Sequence, residues 1–421
     1  MNLPEQFLNR MKEELKENFE SFLNTFTSPA ERGIRINTLK VTPEQFKKIS
    51  PFPLESIPWE QNGFYTPYEG LGKSVYHAAG LYYVQEPSAM CAAPRLEVKG
   101  GERVLDLCSA PGGKGSQLAQ NMQGEGIIFL NEINFSRAKI LSSNVERMGI
   151  KNGVVTCAPP EKLATEFENY FDKILVDAPC SGEGMFKKEQ EAIPNWSSEN
   201  VKACARRQEQ ILDCAYKMLA GGGRMVYSTC TFAPEENEQQ IQNFTKKYPV
   251  KLIEMKKLYP HEIRGEGHFY AVLQKAEGER ADMPILNATV KDKKLLSIYK
   301  KWEEENLKIT FENLHLIGQT LYSLPDGMPV TSAQTLRAGV RLGEFASDRF
   351  EPSHSLAMCL KKEEAHHVEV DERTALSFLR GLTFDCSLTG WALVTYNGFP
   401  LGWCKASNGT AKNKLPKGVR I

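Results

Sequence analysis

Residues 104–122 read V-L-D-L-C-S-A-P-G-G-K-G-S-Q-L-A-Q-N-M. V-L-D-L predicts a short buried strand, S-A-P-G-G-K-G a tight turn, and S-Q-L-A-Q-N-M a helix. A Gly-rich turn between strand and helix leaves backbone N–H groups free at the helix start, a geometry that cradles an anion or a nucleotide. The usual phosphate grips do not fit. G-x-G-x-x-G is absent, the first Gly of G-x-x-x-x-G-K-[ST] is missing with Gly115 following Lys114, and Pro111 removes a donor.

Downstream the pattern repeats. Strands are predicted at I-I-F-L-N-E (127–132), N-G-V-V-T (152–156), F-D-K-I-L-V-D (171–177) and R-M-V-Y-S-T-C (224–230), with helices at 134–147 and 199–219. Gly221–Gly223 is read as the C-cap of the second helix. Strands alternating with helices mean βαβ units, right-handed crossovers and an open three-layer α/β domain. Ligands in such sheets bind beyond the C-terminal strand ends. Three motifs fall there. Glu132, about 20 residues past the loop, is placed to accept hydroxyl protons from an adenosine ribose. The fourth strand delivers D-A-P-C-S-G-E-G (177–184) and the fifth S-T-C-T (228–231). A free Cys is most often a small buried hydrophobe. Two at adjacent strand ends are compatible with a disulfide, a redox pair, or a nucleophile with a helper. Neither motif holds a His for a papain-like base.

Upstream, Phe7, Met11, Leu15, Phe19 and Phe22 recur at helical spacing across 1–26. R-G-I-R-I-N-T-L-K (32–40) reads as a strand, and T-P-E-Q-F-K-K-I (42–49) as a helix capped by Thr42. Beyond the core, K-A-E-G-E-R-A-D (275–282) reads as a linker and 291–305 as a helix. L-H-L-I-G (314–318), L-Y-S-L (321–324), L-A-M-C-L (356–360), W-A-L-V-T-Y (391–396) and G-W-C-K-A (402–406) follow as short strands of a β-rich module. The expected division is an N-terminal α+β domain at 1–75, the main α/β domain at 76–280, a connecting region at 281–340 and the β-rich module at 341–421.

The chain has 421 residues, 41% hydrophobic and 25% charged, enough for a full core without disulfides or structural metal. No run approaches the 18 or so apolar residues of a membrane span. The Glu-rich first twenty residues predict no export signal, hence a cytoplasmic protein. Ten cysteines without C-x-x-C spacing predict free thiols, and together with seven histidines outside H-E-x-x-H they predict no metal. Lys plus Arg equals Asp plus Glu at 52 each, so any polyanion surface must be local. The stretch from Leu401 carries Lys405, Lys412, Lys414, Lys417 and Arg420 with no acid.

C-S-A-P-G-G-K (108–114), N-E-x-x-x-x-R (131–137), D-A-P-C-S-G-E-G (177–184), S-T-C-T-F-A-P-E-E-N-E (228–238) and Y-P-H-E-I-R-G-E-G-H-F-Y-A-V-L (259–273) together resemble the NOL1/NOP2/Sun family of S-adenosylmethionine-dependent RNA cytosine-5 methyltransferases. The C-terminal part is similar to the bacterial 16S ribosomal RNA methyltransferase F type, with a PUA-like RNA-binding module. The resemblance implies a Rossmann-like class I methyltransferase core. It makes Cys230 the nucleophile toward cytosine C6, Cys180 the residue that assists release, and Asp177 a contact to the base edge and the cofactor region. It assigns Cys108, Ser109, Ala110, Pro111, Gly112, Gly113 and Lys114 to the S-adenosylmethionine loop, Glu132 to the ribose, and Arg137 to the support of that region.

The implied partner is RNA, 16S ribosomal RNA or the small subunit. A transfer RNA cytosine-5 methyltransferase and a non-catalytic ribosome-assembly factor are the alternatives. A monomer without metal is expected. Basic residues Lys187, Lys188, Arg206 and Arg207 are candidates for the pocket rim. One departure stands out. Where the family has an Asp toward the adenine amino group, T-C-A-P-P-E (156–161) puts Pro159, leaving Glu161 or a backbone carbonyl as a substitute, or else a lower cofactor affinity.

Overall fold

The computed structural model describes residues 2–421. Its central sheet is built from β1 (Arg103–Asp106), β2 (Ile127–Asn131), β3 (Gly153–Cys157), β4 (Phe171–Asp177), β5 (Leu219–Thr229), β6 (Val250–Leu258), β7 (His268–Lys275) and β8 (Gln334–Ala338). The strand order is β6-β7-β5-β4-β1-β2-β3-β8. Strands β1 to β5 run parallel, and β7 is antiparallel to both of its neighbours. This is the Rossmann-like sheet that the sequence implies.

Successive residues of each strand feed opposite cores, as a two-residue period requires. Leu105, Phe129, Val154, Ile174, Val176, Met225 and Tyr227 pack under helices Pro160–Glu166, Ser198–Met218 and Glu238–Lys247. Val104, Ile128, Leu130, Val155, Leu175 and Val226 pack under helices Gly113–Met122 and Phe135–Met148. Burial on both faces explains why these strands read as continuous apolar runs.

Several expectations are corrected. Gly221–Gly223 does not cap a helix: the helix ends at Met218 and β5 starts at once. The glycines are needed because another segment lies on them. The N–H groups of Gly221 and Gly222 donate to the carbonyls of Glu279 and Ala276 at 2.7 and 3.0 Å. A Cβ on Gly221 would sit 2.3 Å from the carbonyl carbon of Gly278. The 275–282 segment is therefore fastened to the sheet, also by Arg280 to Asp172 at 2.6 Å, and is not a loose linker. The connecting region supplies β8, which pairs antiparallel with β3. L-A-M-C-L is not a strand but lies largely in helix His354–Cys359, capped by the Ser353 side chain.

The N-terminal unit does not stop at 75, because Tyr82–Val84 is a strand paired with Gly33–Ile36. A cut at 340/341 passes through a four-stranded sheet formed by Leu314–Ile317, Thr320–Ser323, Val340–Ala346 and Arg349–Pro352. The last sheet begins at His367. The N-terminal helix is two segments, Glu5–Leu15 and Phe19–Thr25, joined by a 3-10 turn. No helix among the described residues is long and apolar enough to cross a membrane.

The N-terminal unit holds the central α/β core and the C-terminal module together. Ile34, Phe46 and Tyr82 share one apolar cluster with Phe378, Leu401 and Cys404. On the other side, Arg35 points into the core and is fully buried. Its guanidinium donates to the Gly113 carbonyl at 2.8 Å, to Ser116 Oγ at 2.7 Å, to Gln120 Oε1 at 3.2 Å and to the Gln85 side chain. Gly113, Ser116 and Gln120 of the helix Gly113–Met122 are thereby tied to the N-terminal sheet. Burial lowers the Arg35 pKa to about 10, with Glu60 and Tyr83 partly offsetting that cost. Replacing Arg35 by Met strands these buried acceptors. Arg35→Met is expected to lower unfolding stability by about 3 kcal/mol in urea denaturation, since each unsatisfied buried group costs about 1–3 kcal/mol.

Candidate active site

At the C-terminal end of β1 the chain turns through Leu107–Gly112 into the helix that starts at Gly113, with Gly112 at φ 111°. Gly115 faces β1 and β2 so closely that a Cβ would lie 2.5 Å from Leu130 and 2.6 Å from Ser109 Oγ. Only glycine lets the helix start sit there. Asn131, at the end of β2, ties three strand ends together. Its Nδ2 donates to the Leu107 and Ala158 carbonyls at 3.2 and 3.0 Å, and its Oδ1 accepts from Thr156 Oγ1 at 2.9 Å.

Arg137 donates to the Ala110 carbonyl at 2.8 Å and pairs with Glu132 at 2.9 Å, so it clamps the loop against the end of β2. Glu132 also accepts the Asn134 N–H at 2.8 Å, which leaves carboxylate lone pairs for a ligand. The two carboxylate oxygens of Asp106 and the Ser109 hydroxyl lie buried beside the loop without a hydrogen-bond partner. Burial pushes Asp106 up to about 7. A Gly-rich helix start, a ribose-type carboxylate one strand away and orphaned polar atoms between them fit an adenosine-bearing cofactor.

The second half of the site lies at the ends of β4 and β5. Cys180 and Cys230 meet with their Sγ atoms 3.3 Å apart. Their loops are held by buried polar contacts. The Gly184 N–H donates to the Cys230 carbonyl at 2.9 Å, and the Ser181 and Thr231 hydroxyls lie 2.8 Å apart. Glu236 accepts the Ser181 N–H at 3.0 Å and Gln208 Nε2 at 2.8 Å, and also bonds the Ser181 hydroxyl. Glu183 accepts the Phe232 N–H at 3.1 Å, Trp196 Nε1 at 2.9 Å and Arg10 at 2.5 Å. Asn237 accepts from Thr229 Oγ1 at 2.6 Å and donates to the Thr231 carbonyl at 2.9 Å.

Asp177 sits beside the thiols. It accepts from Lys114 Nζ and from Ser228 Oγ, each at 2.8 Å, and His268 Nε2 is 4.0 Å away. Burial opposes the Asp177 charge, but Lys114 outweighs it, and the carboxyl stays below its ordinary range. Burial likewise opposes the Lys114 charge, and Asp177 together with Cys230 raises it. The hydrogen bond to Cys230, and then burial, push the Cys180 thiol well above its ordinary value. His268 is buried with both ring nitrogens unpartnered; burial and then Lys114 lower it to about 3, so it is neutral.

The residues expected from the sequence are thus brought together at one edge of the sheet. Lys114 belongs to the loop by sequence, yet its side chain faces Asp177 and not the loop. Burial raises the Cys108 thiol, so that residue offers backbone and not a thiolate. Pro159 and Glu161 are both exposed around the start of helix Pro160–Glu166, and Glu161 makes no side-chain hydrogen bond to the site. Lys187 is not a free rim cation, because it pairs with Glu266 at 3.2 Å, whereas Arg206 and Arg207 are exposed on helix Ser198–Met218. Missed by sequence reasoning were Arg35, Asp106, Glu183, Glu236, Asn237 and His268. The signal was present for four of them, since Glu183 lies inside D-A-P-C-S-G-E-G, Glu236 and Asn237 inside S-T-C-T-F-A-P-E-E-N-E, and His268 inside the 259–273 stretch. A cleft of about 1370 Å³ opens between the N-terminal unit and these loops, lined by Arg32, Lys73, Lys187, Lys188 and Arg264 among four glutamates.

A Rossmann-like sheet with a Gly-rich cradle at its strand ends beside two thiols fits the class of methyltransferases. The comparisons make this specific. The model of the 16S rRNA methyltransferase RsmB/F family matches residues 93–274, and models of the N-terminal, first C-terminal and PUA domains of RsmF match 3–87, 301–360 and 365–421. The chain is 31% identical to ribosomal RNA small subunit methyltransferase F of an Enterobacter species, over 98% of this chain and 95% of that protein. It is 28% identical to that of Shewanella oneidensis, over 99% and 97%. The chain belongs to the ribosomal RNA small subunit methyltransferase F family. Among solved structures, a methyltransferase homologue from Pyrococcus horikoshii matches with a TM-score of 0.59 and 29% identity, covering 65% of this chain and 95% of that one. NSun6 from the same organism, solved with SFG, matches with a TM-score of 0.60 and 22% identity over 65% and 99%.

Glu236 makes the site's stability depend on pH. Burial raises its carboxyl from 4.5 to about 7 against the pull of Ser181 and Gln208. A raised carboxyl favours the protonated folded state, so its contribution is full below pH 4.5 and is lost as pH rises to about 7. Glu236→Gln should fold and flatten that part of the stability profile by up to about 3 kcal/mol, read by urea melts across pH 4 to 8. An unchanged slope would rule out this titration.

Proposed function

We propose that this protein methylates C5 of a cytosine in 16S ribosomal RNA through a covalent bond between Cys230 and C6. The observation that carries the reading is the pair of thiols 3.3 Å apart, set beside an ionised Asp177 that is itself held by Lys114. Relatives across the full length of the chain are named for the small ribosomal subunit, and the PUA domain at 365–421 supplies a second RNA-binding surface.

Cytosine C5 is a poor nucleophile until the 5,6 bond is saturated. Addition of the Cys230 sulfur to C6 moves the π electrons onto C5 and the ring edge. Asp177 accepts a hydrogen bond from the amine edge of the base, and the Lys114 ammonium is a fixed positive charge where negative charge develops. S-adenosylmethionine supplies the electrophilic methyl group, and the 108–114 loop, Glu132 and Arg137 are the residues that would hold it. A water molecule then takes the C5 proton, the C5–H electrons restore the 5,6 double bond, and the C6–S bond breaks to release Cys230 as thiolate. Cys180, kept protonated, presents its S–H to that departing sulfur. A base stacked inside a duplex hides C6, so the target must be single-stranded or flipped.

The two thiols should behave oppositely. Incubated with 16S ribosomal RNA and S-adenosylmethionine, Cys180→Ala is expected to accumulate a protein–RNA adduct on a denaturing gel. Cys230→Ala and the double variant are expected to show none. Adduct from Cys230→Ala would overturn the assignment of the nucleophile, and full turnover by that variant would overturn the mechanism.

Cofactor binding tests the other half of the site. Glu132→Ala, checked for folding by circular dichroism, should weaken S-adenosylmethionine binding at least about tenfold, because a hydrogen bond to a charged group is worth about 1.5–3 kcal/mol. Calorimetry giving the wild-type affinity would remove Glu132 from the ribose site.

A further inference from the structure

A second cavity, of about 470 Å³, lies where all four parts of the chain meet. The N-terminal unit contributes Lys40, the catalytic core Lys151, and the connecting segment Lys361, Lys362 and Glu363; the C-terminal module closes it with Asn397–Pro400. Four lysines thus face one carboxylate in a chain whose charges otherwise balance at 52 each. None of the four makes an ion pair among the described residues, although many other basic side chains of the molecule do. Lys40 is the most enclosed. Its Nζ donates to the carbonyls of Ala79 at 2.7 Å and Arg147 at 3.0 Å, and burial lowers it to about 7. An ammonium so placed lacks an anion.

The cavity is separate from the reaction chamber. Its core residues Gln123–Gly124 and Gly149–Asn152 precede β2 and β3, whereas the cysteines and the cofactor loop follow strands at their other ends. Five-residue strands put roughly 16 Å between the two edges of the sheet. We propose that this junction binds backbone phosphates of the folded 16S ribosomal RNA at a point remote from the target cytosine. The inference rests on the reading of the chain as a 16S ribosomal RNA methyltransferase. Lysines are compact point charges suited to phosphate oxygens, and the site draws on every part of the chain, so phosphate binding there would brace the C-terminal module against the core.

The test is K151E/K361E/K362E in the full chain, with K151Q/K361Q/K362Q as a milder set; Lys40 stays because it holds two carbonyls. Affinity for transcribed 16S ribosomal RNA should fall about tenfold or more, and the slope of log K against log salt should drop by about two to three, at somewhat under one unit per phosphate contact. S-adenosylmethionine affinity and kcat at saturating RNA should stay at wild-type values while KM rises. Wild-type RNA affinity and salt slope in the Glu variant would overturn the proposal. Loss of binding to assembled small subunits alone, with naked RNA binding intact, would overturn it in favour of an acidic protein partner. Inorganic tripolyphosphate binding at the cavity with no change in RNA affinity would overturn it in favour of a small anion. If wild-type protein transfers no methyl group to 16S ribosomal RNA while the variant still loses RNA affinity, the catalytic reading falls and the phosphate site stands.

Discussion

The thiol half of the candidate site depends on keeping two loops in contact. Cys180 and Cys230 are fifty residues apart in sequence and meet at 3.3 Å. Loops that only pack would not hold such a distance, since thiols have no strong mutual attraction. The registration comes from buried polar groups that each reach both loops or brace one of them: Glu236 to Ser181, Glu183 to Phe232, Asn237 to Thr229 and Thr231, and the main-chain bond from Gly184 to Cys230. Burying two carboxylates is costly unless each is surrounded by donors. Here Glu236 has two residues donating to it and Glu183 has three, so the cost of burial is offset by contacts that also set the spacing of the thiols.

The N-terminal unit extends this logic beyond the catalytic domain. Arg10 reaches Glu183, so the first helix is bonded to the same carboxylate that joins the cysteine loops. Around that bond Phe7 packs edge-on to Phe186, and Phe22 edge-on to Phe232. Arg35 performs the equivalent task for the cofactor loop. The two halves of the site are therefore referenced to one neighbouring unit, and a small shift of that unit would be felt in both.

The core was legible in the sequence because short apolar runs end in Gly, Pro and Cys motifs at the same edge of a parallel sheet. Local signals were weaker where a distant segment decides the outcome. Gly221–Gly223 looked like a helix stop; its true reason is residues 276–279 lying on top of it, which no local pattern reveals. The strand Gln334–Ala338 was missed because an edge strand half exposed to water alternates poorly and depends on β3 for its pairing. Among site residues, the cysteines, Asp177 and the 108–114 loop stand in motifs. Arg35 lies within an ordinary strand, and only the tertiary fold shows that it points inward with no aqueous exit.

A formally neutral chain that handles a polyanion must decide where its positive charge goes. Part of it is spent inside or beside the site: Lys114 on Asp177, Arg137 on Glu132, Lys187 on Glu266, Lys257 on Glu14. Those pairs position groups and present little net field to solvent. Basic side chains left without an ion pair among the described residues include Arg206 and Arg207 of helix Ser198–Met218, Lys405, Lys412 and Lys417 after Leu401, and the lysines of the four-way junction, whereas Lys414 pairs with Glu351 at 3.9 Å. Nonspecific attraction by the whole surface is weak in such a molecule, because its formal charges cancel at 52 each and leave no net long-range field. Affinity must then come from engaging several small basic sites at once, which only a large RNA of fixed shape can do. On the proposed reading, a short single strand carrying the target base would reach the thiols but not the remote lysines, and would bind the weaker for it.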